Sequence, residues 1–133
     1  MTSQFYGKRD RIMINVPADV RTEAGKSFGL QKIGFRGGTV TGWKRAKQLT
    51  TQSQIPIQDL RFMRNWYARH VYTSYPGFLS WKKRGSPKTK EWYNKRSIIS
   101  WLIWGGDSGL KFVNKYTQLL NKHYNKNYKP ISR

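Results

Sequence analysis

Apolar residues recur along this chain at two spacings, and the longer stretches follow the three- and four-residue interval of helices. Ile12, Ile14 and Val16 alternate and so share one side of an extended segment. The run is short and has no obvious partner, so residues 1–16 are expected to form an extended arm packed on the domain. From Pro17 onward, Val20, Ala24 and Phe28 recur every four residues. That predicts a helix, despite the low helix propensity of Gly25 and Gly29. Residues 33–40, IGFRGGTV, interrupt the pattern with three glycines and read as a loop. Thr41 then offers a cap for a short helix over 42–49, with Trp43, Ala46 and Leu49 on one side.

The segment TTQSQIP (50–56) reads as a linker, and Pro56 suits the threshold of a helix. Within 57–74, Leu60, Met63, Tyr67, His70 and Val71 stack on one seam, while Arg61, Arg64 and Asn65 point away from it. Ser74 and Pro76 introduce another short helix, ended by Gly85. Ser86–Pro87 repeats that start signal and predicts a helix running through Trp104. Trp92, Ile99, Leu102 and Ile103 would form its inner face. Ile98, Trp101 and Trp104 extend apolarity around the rest, making SIISWLIW the most enclosed segment. Gly105–Gly106 end it, one of them left-handed. Asp107 can cap a final helix over 108–124. The expected fold is all-α: a compact bundle of about five helices over 17–124, with an extended arm before it, a basic tail (125–133) after it and no sheet.

Composition changes this picture through charge. The 133 residues carry 26 Lys+Arg against 6 Asp+Glu, a formal net charge of +20. Aromatic residues make up 15%, which argues against a wholly disordered basic tail. Cysteine is absent, excluding disulfides, thiolate metal sites and cysteine nucleophiles. With two histidines and six carboxylates, no metal or other cofactor is expected. No apolar run is long enough to cross a membrane, and the opening residues lack the apolar core of a secretion signal.

Half of the basic residues, 13, fall within 76–133. Lys82, Lys83, Arg84, Lys88, Lys90, Lys95 and Arg96 are interleaved with Trp81, Trp92 and Tyr93, and amides near 87–90 would open a helix toward a phosphate. Lys111, Lys115, Lys122 and Lys126 fall on one flank of the predicted last helix. Lys44, Arg45, Arg61 and Arg64 complete the candidate set, the last two beside Asn65 on a possible reading helix. A solvated face is the ordinary fate of surface lysines, but here acids scarcely exist to intersperse. Phosphate contact is the stronger reading, and lysines at loops carry no base code.

Other chemistry is thinly supported. His70 reads as a hydrogen-bonded structural residue, and its best catalytic partner would be Asp107, itself more simply a cap. The loop GFRGGTVTG has neither the spacing nor the Lys-Ser/Thr ending of a phosphate-cradling P-loop. The helices over 42–49 and 57–70 are separated by too many residues for a helix-turn-helix. Trp101 and Trp104 read as core, whereas Trp66, Trp81, Tyr93, Tyr124 and Tyr128 are candidates for stacking on a base. The chain is not expected to be an enzyme.

Three segments carry a resemblance. Gly37–Gly38–Thr39 with Gly42 and Arg45–Ala46, then Met63 with Arg69–His70, then Trp101–Leu102 with Trp104–Gly105–Gly106–Asp107 resemble a small helical module of tailed phages and large DNA viruses. In phages this module often accompanies head-morphogenesis or maturation-protease proteins. The match covers about residues 17–115, and the long basic connection 72–96 is closer to the large-virus form. The resemblance implies a viral setting, in the virion or in host cytoplasm or nucleus at sites of assembly. Together, charge and resemblance lead to a genome-associated structural protein that binds nucleic acid, DNA before RNA, largely without sequence preference. The alternatives are a minor capsid or scaffold protein whose basic face meets acidic capsid protein, and a nucleic-acid-processing enzyme using His70 and Asp107.

Overall fold

The computed structural model describes residues 11–133, so of the expected arm only 11–16 can be compared. That part is extended, and it has a strand partner that was not expected. Met13–Asn15 (β1) pairs antiparallel with Gln54–Pro56 (β2), with Ile14 opposite Ile55. The partner comes from the segment that read as a linker. A residue before proline is driven to extended backbone, and Ile55, fully buried, draws that short stretch onto the core. The fold is therefore mostly helical with a two-stranded sheet added. Seven α-helices stand among the described residues where about five were expected.

The helix Ala18–Ile33 (α1) buries Val20, Ala24, Ser27 and Leu30. A strict four-residue spacing drifts around a helix with 3.6 residues per turn, which is why Phe28 reaches the rim, half-exposed against Trp43 at 5.4 Å. Gly34, with φ of 122°, ends the helix. Val40–Thr51 (α2) starts earlier than expected because Thr39, not Thr41, caps it: its hydroxyl accepts the Gly42 N–H at 3.0 Å. Ile57–His70 (α3) buries Leu60, Met63, Trp66 and Tyr67, and Tyr75–Lys83 (α4) follows with proline in its first turn.

The long helix expected from Pro87 does not form. Ser86 takes a left-handed backbone (φ 56°), and the Trp81 indole N–H donates to the Pro87 carbonyl at 2.8 Å. The chain then makes only a 3-10 turn, Lys90–Trp92, before Arg96–Ile103 (α5). From Ile98 to Ile103, α5 is almost wholly enclosed save Ser100. The expected last helix is two: Gly106–Lys115 (α6) and Thr117–Tyr124 (α7), broken at Tyr116. Asp107 caps neither. Gly105 and Gly106, both with positive φ, make the turn, and the Asp107 carboxylate accepts the Trp101 indole N–H at 2.9 Å.

α1 packs on α2, α5 and α6, while α3 lies on α6 and α4 on α5. The α3–α6 joint is tight. The buried Tyr67 hydroxyl lies 3.0 Å from the Trp104 carbonyl and 2.7 Å from that of Gly106, and a Cβ on Gly109 would collide with both that hydroxyl and the Trp104 carbonyl. Among the described residues no helix is long and apolar enough to cross a membrane.

Candidate anion-binding cleft and basic surface

The start of α2, the end of α3 and the outer side of α5 enclose a cleft of about 500 Å³. Thr39 and Thr41 line it from α2, Arg69, His70 and Ser74 from α3 and the turn after it, and Arg96 and Ser100 from α5. Arg96 and Ser100, four residues apart, share one helix side. Trp66 and Trp104 form the wall, stacked at 5.1 Å, and His70 stacks on Trp66 at 4.7 Å. The segments 37–46, 63–70 and 101–107 each supply residues here: Gly38, Thr39 and Gly42, then Arg69 and His70, then Trp104.

No carboxylate lines this cleft, and among the described residues no acid pairs with Arg69 or Arg96. Ser74 is 6% exposed, yet its hydroxyl caps nothing and meets no hydrogen-bond partner among the described residues. His70 has Thr73 Oγ1 3.3 Å from Nδ1. Burial, and secondarily the neighbouring Arg69 charge, hold its pKa below the ordinary imidazole value. Arg96 was among the expected site residues and Arg69 was not. The signal that could have found it is its place beside His70 in the resembling segment.

The remaining candidates divide by what they already touch. Arg45 is held by Asp59 at 3.3 Å and by Gln48, and lies over the Trp104 ring. The guanidinium of Arg61 stacks on Tyr124 at 4.5 Å and its Nε donates to the Tyr128 hydroxyl, while Arg64 lies 3.8 Å from the Tyr128 ring centre. Lys82, Lys83, Arg84, Lys88, Lys90 and Arg96 are exposed, and none has an acid partner among the described residues. Lys95 lies over the Trp92 ring at 5.2 Å. Lys44 stands exposed beside a shallow hollow floored by Phe28 and Trp43. The four lysines of the predicted last helix do not share one helix: Lys111 and Lys115 belong to α6, Lys122 to α7, and Lys126 follows left-handed Asn125. Because no α-helix starts near Pro87, the expected phosphate-binding helix end there is absent.

The segment after α7 explains why Arg61 and Arg64 are covered. Asn121 exchanges two hydrogen bonds with the backbone of Tyr128 (3.0 and 2.7 Å), and Asn114 does the same with Ile131 (2.8 and 2.9 Å). Arg133 closes the strap on Asp107 at 2.6 Å. Asp107 thereby faces a different hollow from His70, lined by Asp19, Lys111 and Arg133, and the two do not share a site. Trp66, Trp81 and Trp104 are each at most 8% exposed, so none offers a ring face to a base. Among the described residues no group of three or more His, Asp or Glu side chains could hold a metal ion. No family model, curated protein or solved structure matches the chain.

Proposed function

We propose that this chain binds nucleic acid through phosphate contacts with little preference for sequence, as a structural, genome-associated protein of a viral particle or its assembly site. One observation carries the reading. The cations Lys82, Lys83, Arg84, Lys88, Lys90 and Arg96 are exposed along a single stretch of chain, while three carboxylates are already bound to Lys26, Arg45 and Arg133. Uncompensated lysines and arginines on a protein of net charge +20 gain free energy from phosphates, because each neutralised phosphate releases condensed counterions. The burial of the tryptophans supports backbone contact over base stacking. The resemblance of the three segments supports the viral setting.

Binding to random-sequence duplex DNA across a salt series tests the reading. Six engaged cations give a log–log slope of about −5. Replacing Lys82, Lys83 and Arg84 together by alanine flattens it by about three and weakens all sequences alike. Absence of binding at about 50 mM salt, where such contacts are strong, overturns the reading and favours an acidic protein surface as partner.

A further inference from the structure

We infer that the cleft where α2, α3 and α5 meet is a receptor for a phosphate monoester, the terminal phosphate of a nucleic-acid strand or of a nucleotide. The inference deepens the nucleic-acid reading and rests on it for the strand end, though not for the phosphate itself.

The lining is rich in donors and cations and poor in competitors. Arg69 and Arg96 bring two guanidinium forks without a carboxylate between them, and such forks match the oxygens of a phosphate. Ser74 is the sharper sign. The Ser74 side chain is largely covered, but its hydroxyl, without a protein partner among the described residues, is not sealed off and keeps access to the cleft as a donor. A ligand oxygen in the cleft would supply that partner. Thr41 and Ser100 add hydroxyls to the same lining.

Shape separates monoester from diester. A diester within a strand continues on both sides and belongs on an open surface such as 82–96. A monoester ends the chain, carries three unesterified oxygens and can enter a recess. About 500 Å³ accommodates a phosphate with its sugar. The tryptophan wall is closed to a base, so the cleft reads the chain end and not its letter. His70 completes the arrangement: an anion beside it favours the charged imidazole, opposing the burial and the Arg69 charge that disfavour it.

The test follows His70 by proton–carbon NMR on the whole chain. Inorganic phosphate should move the His70 resonances and raise its pKa. A 5′-phosphorylated single strand should bind about tenfold more tightly than its 5′-hydroxyl counterpart, the worth of one charge-assisted contact. Replacing both exposed arginines, Arg69→Gln with Arg96→Gln, should abolish that preference with the melting temperature kept, and Ser74→Ala should lower it. If phosphate leaves His70 unmoved and both strands bind equally, the cleft is no receptor while the nucleic-acid reading stands. If phosphate or a mononucleotide moves His70 and neither strand binds, the cleft inference holds and the nucleic-acid reading fails. A phosphoserine peptide binding more tightly than the phosphorylated strand overturns the assignment to nucleic acid or nucleotide.

Discussion

α3 presents arginines toward both of its ends, and the two ends meet opposite fates. Arg61 and Arg64, in its second turn and its middle, lie beneath Tyr124 and Tyr128 of the strap. Arg69, one residue before its end, opens into a cleft with Arg96 and an unpaired serine. Residue type does not distinguish them. The difference is made by what surrounds each end: aromatic faces and asparagine clamps around the first, hydroxyls and an imidazole around the second. A cation over a tyrosine face keeps its charge but gives up much of its access. Positive charge along a sequence is therefore a poor map of positive charge available to a partner.

The contrast can be broken most severely at the joint that holds α3 in place. Gly109→Ala drives a methyl into the Tyr67 hydroxyl and the Trp104 carbonyl. It should cost about 3 kcal/mol, combining overpacking with a disturbed buried hydrogen bond. Both ends of α3 would be lost together, read as a large fall in the melting temperature.

A smaller change should convert one end into the other. Asn114→Ala with Asn121→Ala removes the four hydrogen bonds that hold the strap and should cost about 2 kcal/mol by denaturant titration. With the strap released, Arg61 and Arg64 become available, and the salt slope of DNA binding should steepen by about two.

The smallest effect sharpens the contrast through pH. The His70 imidazole takes up a proton less readily in the folded chain than in the unfolded one. Acidification below the ordinary imidazole value of about 6.5 therefore favours unfolding, and this contribution to stability rises with pH through that window. His70→Gln should flatten the pH dependence of the melting temperature there. Saturating phosphate should do the same to the unsubstituted protein.

How much of this was legible in the sequence depended on the range of the forces involved. α1 and α3 were readable because their core faces repeat locally, and the enclosure of 98–104 followed from apolar residues on every side. The sheet was not, since the alternation at Ile12, Ile14 and Val16 found no readable partner in the short stretch 54–56, and Ile55 declares itself only when Ile14 lies opposite. The Ser86–Pro87 start signal failed for a similar reason. Trp81 ties down the Pro87 carbonyl and left-handed Ser86 turns the chain before a helix can start. In the cleft, Arg96 was visible as a cation, but Arg69 was hidden by its neighbour His70, which read as part of the core seam. The covering of Arg61 depends on a hydrogen bond to a residue 67 positions away, a contact no local pattern announces.

The most direct test of the account compares the salt dependence of DNA binding for two double variants, Arg69→Gln with Arg96→Gln and Arg61→Gln with Arg64→Gln. Both remove the same charge. The account predicts that, with 5′-phosphorylated DNA, the first flattens the log–log slope by about two while the second leaves it unchanged. Equal flattening by the two would contradict it, because the covered arginines would then be meeting phosphate as freely as the open ones.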